Sequence, residues 1–137
     1  MVKIERSFPA PASLESEAKK VSGSYEQPDV VSRLRKDFHD KCYICELKNL
    51  QDPQVEHLLP HKNGKYPERK FDWNNLFWSC SHCNGIKNQK KYDDGIIDCC
   101  KNDPELMMTF KLKDGKTEIS AKDEHNSCLL YTSPSPR

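Results

Sequence analysis

The 137-residue sequence contains no apolar run approaching the roughly 20 residues that a membrane-spanning helix needs. Its first residues, MVKIERSFPAPAS, also lack the apolar stretch of about 7–15 residues that a secretory signal requires. Apolar mass is thin throughout: hydrophobic residues make up 35% of the chain, charged residues 31%, and the mean hydropathy is -0.89. This composition predicts one small water-soluble domain with a limited core, a cytoplasmic location and no membrane partner. Neither sign of charge is in excess, the net value being +1, so total charge points to no class of partner.

What the chain does have is cysteine. Seven is an odd count, which speaks against a framework made only of disulfides, and in a reducing compartment Cys-x-x-Cys pairs serve better as metal ligands. Two such pairs are present, Cys42-Tyr43-Ile44-Cys45 and Cys80-Ser81-His82-Cys83. Tetrahedral zinc takes four thiolates at about 2.3 Å, and each pair can supply two from one tight turn. A chain with little apolar mass gains from such a staple, because in zinc-finger peptides metal binding is itself folding free energy, about 10–16 kcal/mol. Between Cys45 and Cys80 lie 34 residues, more than the roughly 15–20 of a minimal four-cysteine motif. The segment between the knuckles is therefore expected to carry something of its own. Cys99 and Cys100 are adjacent and poorly placed to chelate one metal together, which leaves packing or redox chemistry for them. His82, between two ligands, is expected to face solvent.

Local patterning divides the chain. Pro9 and Pro11 oppose helix, so residues 1–12 read as extended or loose, and a short helix over residues 13–20 ends at Ser22-Gly23-Ser24. A clearer helix is predicted over 29–39, with Asp29 as N-cap and Val30, Leu34 and Phe38 forming one apolar stripe. Residues 54–59 read as a strand ended by Pro60, and 84–91 as the start of a lysine-rich helix. Residues 106–112 and 116–121 alternate around Asp114-Gly115, predicting a β-hairpin. The expected organisation is an N-terminal extension over 1–28, a central domain over 29–98 and a C-terminal hairpin extension over 99–126. Residues 127–137 resemble translated sequencing-adapter read-through, so this tail, with Cys128, is expected to be non-native. Between His57 and Lys91 stand seven Lys/Arg residues against Glu68 and Asp72. Such a basic segment suits a phosphate-bearing partner, and a solvated lysine-rich surface equally well.

Three strings in this order, Val55-Glu56-His57-Leu58-Leu59-Pro60, Asp72-Trp73-Asn74-Asn75-Leu76 and Cys80-Ser81-His82-Cys83-Asn84-Gly85-Ile86-Lys87, together resemble the HNH endonuclease signature. The resemblance covers about residues 42–91. The first knuckle, Cys42-Tyr43-Ile44-Cys45-Glu46, and the short basic N-terminus are similar to those of the small HNH nucleases of Septu-type and retron-associated anti-phage defence systems. In that family the nuclease works beside an ABC-type ATPase.

The resemblance implies an α+β fold: a ββα-metal core stapled by a four-cysteine zinc site, with an N-terminal helix and a C-terminal β-hairpin. It implies hydrolysis of phosphodiester bonds in nucleic acid, with double-stranded DNA as the expected substrate and RNA chemically compatible. His57 would be the general base, suited by a reference pKa of about 6.5. Glu56 and Asn84 would be oxygen ligands for a catalytic Mg²⁺ or similar divalent ion, and Asn75 would hold the His57 loop through backbone hydrogen bonds. Lys87, one helical turn past Asn84, would meet a phosphate near the helix start, with Lys62 and Lys90 as further nucleic-acid contacts. The sequence departs from the commoner pattern in having Glu56 where Asp is more frequent and Asn84 where His is. An asparagine suits Mg²⁺ better than a softer ion, and the longer glutamate is able to bind through water. Each residue also has a plainer reading: His57 in a strand ion pair, Asn75 and Asn84 as caps, His61 as a phosphate contact or merely exposed. The alternative for the whole chain is a non-catalytic zinc-ribbon module that binds nucleic acid or protein.

Overall fold

In the computed structural model, which describes residues 1–87 and 97–121, the longest described helix begins at a proline. Helix α2 spans Pro28–Asp37, and Pro28 takes the first helical position, where its missing N–H is no loss. Asp29 is therefore not the cap. Its carboxylate accepts from the Ser13 N–H and Oγ at 3.2 and 2.5 Å, which ties α2 to α1, Ala12–Ala18. The expected stripe is present, since Val30, Leu34 and Phe38 are all fully buried. Gly23, between the two helices, is required by space: a Cβ there would stand 1.8 Å from the Glu17 carbonyl oxygen.

Strand β1, Pro53–His57, pairs antiparallel with β2, Leu76–Cys80, in a register that sets Val55 opposite Trp78, Glu56 opposite Phe77 and His57 opposite Leu76. Every residue of β2 is buried, which matches its unbroken apolar run Leu76-Phe77-Trp78. Phe38 of the α2 register meets Phe77 edge-on at 5.6 Å. The connection between the strands holds a short helix α3, Pro67–Lys70, and a 3-10 turn, Trp73–Asn75, whose cap Asp72 accepts from the Asn74 N–H at 3.0 Å. Strand β1 stops two residues short of the expected limit: the Leu58 N–H still meets the opposing Asn75 carbonyl at 2.9 Å, but the Asn75 N–H turns back to the Asp72 carbonyl and the Leu59 N–H goes to the Asn75 side chain.

Directly after β2 comes α4, Ser81–Ile86, three residues earlier than the lysine-rich helix expected from the sequence. The knuckle itself starts the helix: Cys80 is the N-cap, and its sulfur accepts from the Cys83 N–H at 3.4 Å. Asn84 consequently lies inside α4, and Lys87 follows its last turn.

The N-terminal segment is extended but not loose. Met1 and Ile4 are buried, and the Ile4 N–H donates to the Cys99 carbonyl at 2.9 Å. Arg6 runs inward, giving Nη1 to the Trp73 and Leu76 carbonyls at 2.7 and 2.9 Å, with its guanidinium 4.9 Å from the Phe77 ring centre and 5.0 Å from that of Trp73. One buried cluster draws on residues from Met1 to Met108, so the core runs across the sequence divisions at 28/29 and 98/99. Helix α5, Pro104–Met107, leads into the hairpin β3, Met108–Lys113, and β4, Lys116–Ala121. Its turn residues Asp114 and Gly115 both take positive φ, 51° and 74°, as the tight turn needs. The described residues thus form an α+β fold with two two-stranded sheets, and no helix among them is long and apolar enough to cross a membrane. The expected non-native tail lies outside the described residues.

Gly23→Ala should lower stability by about 1–3 kcal/mol, the usual range for overpacking against backbone. Gly85→Ala, within α4 where an added Cβ meets nothing within 4 Å, should be neutral or stabilising by up to about 1 kcal/mol. Urea midpoints of the two variants check the contrast.

Candidate metal centre and active-site cleft

The first knuckle is a tight loop closed by two backbone bonds, Cys42 N–H to the Leu47 carbonyl at 3.0 Å and Glu46 N–H to the Cys42 carbonyl at 2.9 Å. Glu46 takes the left-handed conformation there, φ 63°. The loop docks on the hairpin through Tyr43, whose N–H donates to the Trp78 carbonyl at 2.9 Å, two residues before Cys80. The four sulfurs of Cys42, Cys45, Cys80 and Cys83 consequently lie within 4.8 Å of one another, and the Cys45–Cys80 pair is 3.9 Å apart. A tetrahedron with metal–sulfur bonds of about 2.3 Å has edges of about 3.8 Å, so the cluster fits one zinc ion with small adjustments. Hydrogen bonding from Cys83 pushes the Cys42 thiol down to about 5, and the same contact pushes Cys83 up. The contact thus eases ionisation of one thiol in the cluster, and the thiolate is the form a metal needs. This four-cysteine cluster is arranged as a structural zinc site.

The same hairpin lines a cleft of about 320 Å³, whose walls include Tyr25, Glu56, His57, His61, Asn84 and Lys87. His57 Nε2 lies 3.0 Å from the Lys70 carbonyl. A carbonyl can only accept, so Nε2 carries the proton and Nδ1 keeps its lone pair. The rings of Tyr25 and His61 meet the imidazole edge-on at 4.5 and 4.7 Å. Burial pushes the His57 pKa down to about 4, aided by the neighbouring His61, Lys87 and Lys70, and the imidazole is neutral at pH 7.

Asn75 is buried, and its side chain bonds to backbone. Its Oδ1 accepts from the Leu59 N–H at 2.8 Å, and its Nδ2 donates to the Leu59 and Arg69 carbonyls, both at 2.9 Å. It therefore clamps the chain leaving β1 to the end of α3, where the next carbonyl, that of Lys70, holds His57.

Glu56 is 5% exposed, and Lys87 Nζ meets its Oε1 at 2.7 Å. The same ammonium donates to the His57 and Leu58 carbonyls, both at 2.7 Å, so its three protons have three acceptors. Burial pushes the Glu56 carboxyl up and the Lys87 amine down, while each partner's charge acts against the shift. Lys87 was expected to meet phosphate near a helix start. Here it stands at the C-terminal end of α4 and points inward, because the cysteine knuckle starts the helix early and leaves an acidic partner beneath its last turn. Glu56 Oε2 is buried, and the carboxylate interacts on its inner side with the buried Tyr43 hydroxyl. The oxygen donors that line the cleft are the Glu56 carboxylate, whose Oε1 is held by Lys87, and the Asn84 side chain, the residue types that a hard divalent ion takes.

The remaining residues singled out in the sequence fall as follows. Lys62 lines the cleft, 5.9 Å from the Tyr66 ring centre. Lys90 lies outside the described residues. His61 lines the cleft and accepts at Nδ1 from the Gly64 N–H at 3.2 Å, while His82 is exposed. Cys99 is fully buried and Cys100 accepts from Arg6 Nη2 at 3.4 Å. Tyr25 had no signal in the sequence, being 32 residues before His57 in an unpatterned connection. The Lys70 carbonyl had none either, since backbone atoms leave no signature.

No protein-family model matches the chain, and no solved structure matches it. Among known proteins it is similar to the Septu protein PtuB of Bacillus thuringiensis, 34% identical over 64 residues that cover 44% of this chain and 24% of that protein. The chain thus spans about a quarter of the length of the relative it matches.

Two outcomes follow from these geometries. Purified protein should contain about one zinc per chain, and Cys42→Ser or Cys80→Ser should lose both the metal and cooperative unfolding, read by elemental analysis and thermal melts. His57 has a folded-state pKa below its ordinary value, so protonation favours the unfolded chain. Its contribution to stability should be complete above about pH 6.5 and lost as pH falls toward 4. Denaturation midpoints across that window, with His57→Gln showing a flatter profile, check the sign.

Proposed function

We propose that this chain is a zinc-stapled, metal-dependent nuclease domain in which His57 is the general base. The carrying observation is the imidazole itself: neutral, half-buried at the cleft, with Nε2 committed to the Lys70 carbonyl. That leaves Nδ1 to take a proton from an attacking water. Asn75 and α3 fix the ring, so little reorganisation is needed when the base acts. Glu56 and Asn84 would hold a divalent ion such as Mg²⁺, which when bound supplies positive charge to a phosphate and lowers the pKa of a water. Lys62, beside the cleft, and Lys90 would contact the nucleic-acid backbone. The order β1, β2, α4 around the cleft supports the ββα-metal reading, and double-stranded DNA is the proposed substrate.

The partial likeness to a Septu protein supports a role as the effector of an anti-phage defence system, acting with an ABC-type ATPase partner. The second reading, a zinc-ribbon module that binds nucleic acid or protein without cutting, rests on the cysteine cluster. It is favoured by the Glu56–Lys87 pair, which engages one oxygen of the carboxylate that catalysis would need.

Plasmid nicking in Mg²⁺ separates the two. The nuclease reading expects cleavage that falls by about 10²–10⁴-fold in His57→Ala, in the presence of the partner ATPase if activation requires it. Duplex binding by both with no cutting under either condition would leave the binding module as the answer, and equal cutting by both would remove His57 as the base.

A further inference from the structure

We infer that Lys87 is the resident cation of the cleft, held on Glu56 until a divalent ion and a phosphate arrive together to exchange for it. The inference rests on the nuclease reading of Glu56 and Asn84 and adds a control that reading does not contain. Lys87 is no solvated lysine: its side chain is 10% exposed, and its ammonium is satisfied by Glu56 Oε1 and the His57 and Leu58 carbonyls. Two of those three acceptors are carbonyls of the base and its neighbour, so the same contact also fixes the backbone under His57.

The electrostatic consequence is direct. Glu56 contributes one negative charge and Lys87 one positive, so the buried pair is neutral as it stands. Adding a dication with Lys87 in place would set three positive charges around one carboxylate in a largely desolvated site, where unpaired charge is expensive. Glu56 Oε2 is buried and the carboxylate is engaged by Tyr43, so ion binding requires Lys87 to release Oε1. The ammonium then needs a new anionic partner, and the phosphate of a bound nucleic acid is the group that enters this cleft under the nuclease reading. The cleft thus binds ion and nucleic acid cooperatively, and each must raise the affinity for the other by the same factor. Without nucleic acid, Lys87 keeps the ion affinity low and the cleft quiet.

The experiment uses zinc-loaded full-length protein, with Mn²⁺ binding followed by electron paramagnetic resonance. Lys87→Met, which keeps the side-chain bulk and removes the charge, should bind Mn²⁺ about tenfold or more tightly than wild type in the absence of nucleic acid. A phosphorothioate duplex should tighten Mn²⁺ binding to wild type and leave Lys87→Met nearly unchanged. Equal or weaker Mn²⁺ binding by Lys87→Met overturns the inference.

Glu56→Gln separates the two layers. If it abolishes Mn²⁺ binding while Lys87→Met has no effect, the ion site stands and the exchange fails. If it leaves Mn²⁺ binding intact, the ion site itself is misassigned. A measurement on wild type covers the case in which Lys87→Met does not fold: the ¹⁵Nζ resonance of Lys87. It should persist in Mg²⁺ alone and shift only when Mg²⁺ and the duplex are both present. A resonance that does not move with both bound refutes the exchange.

Discussion

Cys80 is at once the last residue of β2, the N-cap of α4 and one of the four clustered sulfurs. Its sulfur accepts the Cys83 N–H, so the knuckle and the first helical turn are one feature, and the helix starts where the ligand spacing dictates. The β1–β2 register places Pro53 opposite Cys80 and His57 opposite Leu76. A sulfur at one end of the hairpin thereby fixes the distance to the imidazole at the other. The first knuckle reaches this end through the Tyr43 N–H on the Trp78 carbonyl. A staple here supports the hairpin, the helix and the cleft together.

The cleft holds two titratable groups whose environments act differently. His57 has lost water without gaining an anionic partner, so burial favours its neutral form. Glu56 has lost water and gained an ammonium, so its burial is offset by a counter-charge. A neutral imidazole beside a compensated carboxylate is a stable resting arrangement, because neither leaves an isolated charge in the interior. It also explains why backbone carbonyls recur in this site. With few side chains available in a thin core, the Lys70, His57, Leu58 and Leu59 carbonyls do the orienting.

The N-terminal segment shows how a small chain gains core without many apolar residues. Arg6 lies among the rings of Phe38, Trp73 and Phe77 and caps two carbonyls at the entry to β2. Ser7 gives both its N–H and its hydroxyl to Asp37, and its carbonyl accepts from Trp73 Nε1 at 3.0 Å. Cation–π contacts and satisfied polar groups thus fill space that a larger protein would fill with leucine. The two prolines that made this stretch look loose prevent helix, but they do not prevent burial of an extended strap.

Sequence alone determined the cysteine pairs as one ligand set, the apolar stripe of α2, the Asp114-Gly115 turn, and the residue types expected at the cleft. Those features are written in spacing and in local backbone chemistry, which act over a few residues. It did not determine the start of α4, the inward turn of Lys87, the place of Tyr25, the Lys70 carbonyl as the partner of His57, or Arg6 in the core. Each of those depends on segments far apart in the chain meeting in space, and on which buried charge finds which counter-charge there. Only the packed structure decides that, because desolvation and hydrogen-bond partners exist only once distant segments have come together.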